Sequence, residues 1–274
     1  MIRYKYKPKY EKAGLDGSNE RYSISLNLQQ ECTSEEVEVL RQEVEYAARE
    51  ICGIFYGSRK ITLGFHHRMK RRINVSLDDT MSCAFRNEVV INRSLFKANL
   101  APIVHELCHV FAYSPNASLC EGVANYCQEL FGHNYSLFNF GLDVHSLAHL
   151  ILETVDFRAA HDVGCYQGSA FALMYSRAHF QVVGHSFVKY LVETYKMEQF
   201  LRLYDTRGRA LDYTRVYGKS LHDIRHEWIS FLNRHGMSLT KEQVIIHIQN
   251  ICESSELDRA FFTEMINVLL DFEK

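Results

Sequence analysis

Leu100-Ala101-Pro102-Ile103-Val104-His105-Glu106-Leu107-Cys108-His109-Val110-Phe111, then the turn Ser114-Pro115-Asn116 and Leu119-Cys120-Glu121-Gly122-Val123-Ala124-Asn125-Tyr126, form the stretch that decides how the chain is organised. Both halves carry apolar residues at helical spacing, and Pro102 suits a first helical turn, where its missing N–H costs nothing. Two successive helices are therefore expected here, joined by a short turn. Residues four apart on a helix share a face, so His105 and His109 can turn their imidazoles toward one ion, about 2.0 to 2.1 Å away if it is zinc. Glu106, one position on, is displaced around the helix toward a water on that ion.

A catalytic zinc site needs a third protein ligand and leaves one position for water or substrate. Glu121, carried back by the second helix, is expected to supply that ligand, and its carboxylate leaves the ion able to acidify water toward a pKa of about 7. Asn125, one turn further along, is placed to orient a ligand from behind. The residues point to hydrolysis in which Glu106 takes a proton from zinc-bound water and returns it to the leaving amine.

His-Glu-Leu-Cys-His at 105–109 with Leu-Cys-Glu-Gly-Val-Ala-Asn-Tyr at 119–126 resembles the gluzincin zinc metallopeptidases, which include thermolysin-like and aminopeptidase-like enzymes. Gly184 to Tyr195, Tyr217 to Leu221 and Glu227-Trp228 are similar to helical segments that follow the metal motif in small bacterial members. The resemblance covers about residues 60 to 233 and is strong around 100 to 130. It implies a zinc cofactor, a peptide or protein substrate, and an edge strand ahead of the metal helix for extended substrate, with Cys83 to Asn92 in the matching place. Many aminopeptidase-like relatives also use a Tyr shortly before the position of Gly184 to stabilise the oxyanion. This chain has Phe180 and Gln181 there, and Phe cannot donate a hydrogen bond. His179, Tyr166 and Tyr175 are the nearby candidate donors, and the alternative is stabilisation by zinc alone.

Working outward, Tyr22 to Leu28 alternates apolar and polar residues, as a strand with one buried face does. Thr33-Ser34-Glu35-Glu36 is a capping box, after which Val37, Leu40, Val44, Ala47, Ile51 and Phe55 continue at helical spacing to a stop at Gly57. Lys60 to Phe65 and Cys83 to Asn92 are the next expected strands, with a polar connection at Val75 to Asp79. Helical periodicity follows over 95–113, 119–131, 141–155, 168–176, 180–195, 197–204, 219–233 and 241–272. The expected fold class is α+β: a small N-terminal mixed sheet with helices over 1–112, then a mainly helical lobe over 113–274, with the zinc cleft between them.

With 274 residues and 47% hydrophobic content, the chain has material for a sizeable core. Thirty-one basic and 33 acidic residues give a net charge of -2, so no overall field recruits nucleic acid or an anionic membrane. The basic start Met1 to Lys7 is not followed by the apolar stretch of a secretory signal, and no apolar run is long enough for a bilayer. Eight cysteines without a CxxC pair read as reduced thiols, which together with these features leads to the expectation of a cytoplasmic protein.

Two further histidine pairs, His145/His149 and His222/His226, share the four-residue spacing. The first lacks a carboxylate beside its leading His, the second lies in an amphipathic segment where Leu221, Ile224 and Trp228 look like core positions, and both are expected to be structural or surface residues. His66-His67 with Arg68, Lys70, Arg71 and Arg72 reads as a solvated basic loop, and Cys108 and Cys120 as small buried thiols. The functional expectation is zinc-dependent peptide-bond hydrolysis. The alternatives are a non-catalytic or degenerate zinc-binding protein of the same fold, or a processing enzyme for one dedicated peptide.

Overall fold

A computed structural model describes residues 2–6, 23–28, 32–56, 72–114, 116–132, 139–154, 177–205, 211–235 and 239–254. The fold is α+β: a small mixed sheet near the N-terminus, followed by helices. The chain divides into two compact units, Met1–Tyr113 with Cys127–Asn134, and Ser114–Tyr126 with Tyr135–Lys274.

In the first unit, β1 (Ile2–Tyr6), β2 (Ser23–Leu28), β3 (Arg72–Asp78), β4 (Cys83–Phe85) and β5 (Glu88–Asn92) form one sheet in the order β1-β2-β3-β5-β4. The central pairs β2/β3 and β3/β5 are parallel, with Leu26 opposite Val75 and Val75 opposite Val89; both outer pairs are antiparallel. Ile73, Val75 and Leu77 of β3 are buried at every second position, as are Val89 and Ile91 of β5. This corrects the polar connection expected at Val75 to Asp79. Asn74, Ser76 and Asp78 on the other face dilute the apolar signal, yet the period of two is that of a strand.

The single strand expected at Cys83 to Asn92 is a hairpin instead. Arg86-Asn87 makes the turn, with Arg86 in the left-handed region at φ 57°, and Phe85 pairs with Glu88. No glycine marks the turn, so nothing in the composition announces it. The strand expected at Lys60 to Phe65 lies outside the described residues.

Helix α1 (Ser34–Tyr56) opens with the expected capping box: the Thr33 N–H donates to Glu36 at 2.8 Å and the Glu36 N–H to Thr33 Oγ1 at 3.1 Å. Its buried stripe Leu40, Val44, Ala47, Ile51 and Phe55 belongs to the unit's core. The helix expected over 95–113 is two. Helix α2 (Arg93–Lys97), capped by Asn92 Oδ1 on the Leu95 N–H, stops where Asn99 turns left-handed at φ 56°. The Leu100 N–H then reaches the Leu95 carbonyl at 2.8 Å and that of Asn99 the Phe96 carbonyl at 3.0 Å, the paired bonds of a Schellman ending. Helix α3 (Ile103–Phe111) begins after Pro102 and packs against α1, β4 and β5. Tyr56 Oη donates to the Phe111 carbonyl at 2.5 Å.

The second unit is helical. It contains the start of α4 (Ala117–Phe131), then α5 (Val144–Thr154), α6 (Arg177–Tyr195), α7 (Met197–Tyr204), α8 (Tyr213–Tyr217), α9 (Leu221–His235) and α10 (Lys241–Ser254). Helix α6 packs on α5 and α7, and α9 packs on α5. Trp228, fully buried, sits edge-to-face on Phe187 and donates its indole N–H to Ser186 Oγ at 3.1 Å. The one long helix expected over 219–233 begins only at Leu221: Gly218 at φ 72° closes the separate turn α8, and Ser220 with Asp223 caps α9. Among the described residues no helix is long and apolar enough to cross a membrane.

Candidate metal centre

Helix α3 has eight of its nine residues buried, and His105 and Glu106 are among them at 3% and 4% exposure. A proline cap leaves such a buried start short of acceptors, because Pro102 offers no side-chain hydrogen bond to the first turn. Gln128 of α4 fills that role: its Oε1 accepts the His105 backbone N–H at 3.0 Å, fixing the residue that bears the first imidazole. The spacing of four then brings His105 and His109 together, with Nε2 to Nε2 at 3.0 Å and ring centroids 4.7 Å apart. Two nitrogens bound to one tetrahedral zinc at about 2.0–2.1 Å stand roughly 3.3 Å apart, so the observed separation suits a shared ion.

Glu121 owes its place to the start of α4. Asn116 Oδ1 accepts from the Leu119 N–H and from Ser118 Oγ, each at 2.9 Å, which sets where the helix begins. Glu121 and Asn125 are four apart and so share a face. One ligand atom each from His105, His109 and Glu121 lies within 4.8 Å of the other two. This group can hold a metal ion, and its donors, two imidazoles and a carboxylate, are of the type that catalytic zinc sites use.

The helix that carries Glu121 is held by a close backbone approach. A Cβ on Gly122 would stand 2.4 Å from the Gly184 carbonyl oxygen of α6, and one on Gly184 would stand 2.7 Å from the Ser118 carbonyl oxygen. Only glycine fits at either position. Beyond this crossing, Asn125 is buried at 1% exposure and its Nδ2 donates to Gln181 Oε1 at 3.4 Å. Asn125 thus joins the ligand helix to α6.

Of the candidate oxyanion donors, Tyr166, Tyr175 and the side chain of His179 lie outside the described residues. Cys108 and Cys120 are buried beside the ligands. His145 and His149 do not form a ligand pair: His145 Nδ1 meets Ser186 Oγ at 2.9 Å, and His149 Nε2 lies 3.2 Å from Glu153. His66 to Arg71 lie outside the described residues, whereas Arg72 opens β3.

Two residues that position this centre were not singled out from the sequence. Gln128 is polar among the buried Val123, Ala124 and Cys127, and that contrast was its only signal. Gly122 read as a companion of Glu121, and only the proximity of Gly184 explains why it must be glycine. No protein-family model matches the chain, and no curated protein matches it in sequence.

Proposed function

We propose that the protein is a zinc-dependent peptide hydrolase with the gluzincin arrangement, in which His105, His109 and Glu121 hold the metal and Glu106 is the general base. The observation that carries this reading is the convergence of two imidazoles and one carboxylate within 4.8 Å, with Glu106 buried next to the first imidazole in sequence. Zinc bound there would act as a Lewis acid on the scissile carbonyl and lower the pKa of water to about 7. Glu106 takes the proton of the attacking water and passes it to the leaving amine, which requires it to stay close to the ligand pair without joining it. Its position one residue after His105 meets that requirement.

Extended substrate fits the outer edge of β4, the last strand of the sheet among the described residues, which packs beside α3. Met81 and Phe85, on and next to this strand, are 62% and 68% exposed and offer apolar contact to a substrate side chain. Cys32, Cys52, Cys83, Cys108, Cys120 and Cys127 carry thiols, in keeping with work in a reducing compartment such as the cytoplasm.

A second reading, a zinc-holding protein without turnover, is favoured by Gln181: it is fully buried and bonded to Asn125, near where the resemblance to aminopeptidase-like enzymes implies a donor Tyr. Incubation of the zinc-loaded protein with a diverse peptide library, analysed by mass spectrometry, decides between them. Cleavage that stops with chelator and with Glu106→Gln establishes the hydrolase. Zinc binding without cleavage of the library or of cellular peptides leaves the inert reading, and cleavage of one cellular peptide alone identifies a dedicated processing enzyme.

A further inference from the structure

Away from the metal ligands, α6 and α9 border an open groove of about 490 Å³ lined by Tyr190, Thr194, His226, Glu227, Phe231 and Arg234, with Ser230 on its wall. We propose that this groove binds a small organic carboxylate carrying an aromatic or branched apolar body.

Three features define the ligand. The floor is aromatic, with the Tyr190 and Phe231 rings tilted against each other at 5.4 Å and the His145 ring edge-on behind Phe231 at 5.0 Å. A flat or branched apolar group gains most by covering such a floor. Glu227, the single acid of the lining, already has its partners: Lys219 Nζ lies 2.7 and 2.9 Å from its two oxygens, and Tyr195 Oη donates to it at 2.6 Å. Its charge is matched by Lys219, so it has little attraction left for a cationic ligand. Glu193, the neighbouring acid of α6, lies 3.8 Å from His145 Nε2 and is not part of the lining.

Arg234 makes no hydrogen bond or ion pair among the described residues, which leaves the groove one uncompensated cation. A guanidinium presents a planar fork of donors that matches a carboxylate. His226 and Arg234 stand eight residues apart on α9, a span of about 12 Å, so the groove suits a ligand of that length or less. Ser230 and Thr194 add hydroxyls along the walls. The combination of apolar floor, matched acid and free guanidinium selects an anion over a cation or a neutral molecule of equal shape.

The test titrates the zinc-free 274-residue chain with phenylacetate, phenethylamine and phenylacetamide, read by ligand-observed saturation-transfer NMR. Phenylacetate is expected to bind with a Kd of roughly 1–10 mM, as suits an open groove, and the amine and amide at least about fivefold more weakly. Arg234→Gln should weaken phenylacetate about fivefold or more without changing the melting temperature, and Phe231→Leu should weaken all three. Equal binding of phenylacetate and phenethylamine overturns the proposal. So does phenylacetate binding unchanged in Arg234→Gln, which would place the ligand elsewhere, or no binding of phenylacetate up to about 20 mM.

Discussion

Three helices of this protein carry a histidine pair at the same spacing, and among the described residues only the α3 pair gathers a third candidate ligand. In α3, His105 and His109 have ring centroids 4.7 Å apart; in α9, His222 and His226 are also 4.7 Å apart. The spacing therefore sets the ring distance and nothing more. The α3 pair is on a buried helix, its Nε2 atoms are 3.0 Å apart, and Glu121 joins it. The α9 pair is exposed, and no nearby acid is delivered to both of its rings: Asp223 Oδ1 lies 3.7 Å from His222 Nδ1, but its Oδ2 accepts from the Ser220 hydroxyl at 2.6 Å and from the Ser220 N–H at 3.2 Å, while Glu227 is held by Lys219 and Tyr195. A metal site thus depends on which carboxylate the fold delivers to the imidazoles, more than on the imidazoles themselves.

The largest effect separates the two pairs directly. His105→Ala should reduce zinc from about one ion per chain to a small fraction, because two remaining ligands hold the ion poorly, whereas His222→Ala should leave the zinc content unchanged. Elemental analysis of the purified variants reads this, and equal loss in both would end the distinction. Glu106→Gln comes next: turnover on any substrate found should fall about 10²- to 10⁴-fold while zinc stays bound. Full activity in that variant would remove Glu106 from the chemistry and leave the ligand set intact.

The delivery of Glu121 can be tested through its neighbour. Gly122→Ala places a Cβ 2.4 Å from the Gly184 carbonyl oxygen and 2.7 Å from Val188 Cγ2, so the helices must move apart. Overpacking of this kind costs about 1–3 kcal/mol, which lowers the melting temperature by roughly 2–10 °C in a chain of this size. Displacement of Glu121 should also weaken zinc about 10- to 100-fold, as loss of a supporting contact does. Gly53→Ala is the control: nothing lies within 4 Å of its Cβ, and alanine within helix α1 should be neutral or stabilise by up to about 1 kcal/mol. Calorimetry with a competitive zinc titration measures both quantities.

Thr33→Ala probes a smaller, local feature far from either histidine pair in sequence. It removes the hydroxyl that caps the Glu36 N–H at 3.1 Å and should cost about 1 kcal/mol without altering zinc content.

What was legible in the sequence follows from the range of the physics involved. The capping box at Thr33 and the helix Met197–Tyr204 are local: a side chain and a backbone group within four residues, or an apolar stripe of period 3.6. His105 and His109 belong to the same class, since one helix suffices to pair them. Glu121 required two helices to be joined by a turn, which Ser114-Pro115-Asn116 announces in the sequence, and the structure shows Asn116 capping the second of them. The misses are of the opposite kind. Arg86 and Asn99 adopt left-handed backbone without being glycine, so a hairpin and a helix break went unread. Strand β3 is the exception, a local signal read by composition in place of period: Ile73, Val75 and Leu77 alternate with Asn74, Ser76 and Asp78 as in any half-buried strand. Gln128 and Gly184 act only through partners distant in the chain, and no periodicity can reveal that.

The smallest effect bears on why Glu227 does not join the α9 pair. Lys219, which donates to both oxygens of Glu227, and then the Tyr195 hydroxyl hold the Glu227 carboxyl below its ordinary value, against the opposing effect of partial burial. A carboxylate with a depressed folded pKa contributes stability that is present above its unfolded pKa of about 4.3 and disappears as the pH falls through the lower folded value. Wild type should therefore be more stable than Glu227→Gln at pH 7, and the two melting curves should converge between about pH 4.5 and pH 3. The Glu227 side chain is 40% exposed, so salt screens the pair and near-molar sodium chloride should narrow the gap at pH 7. Burial and then the adjacent Glu227 push the Tyr195 hydroxyl up to about 12, against the opposing effect of Lys219, so it stays a donor throughout this range. If the two curves run parallel from pH 7 to pH 3, Lys219 does not engage Glu227 in solution. That acid would then be available to the His222/His226 pair.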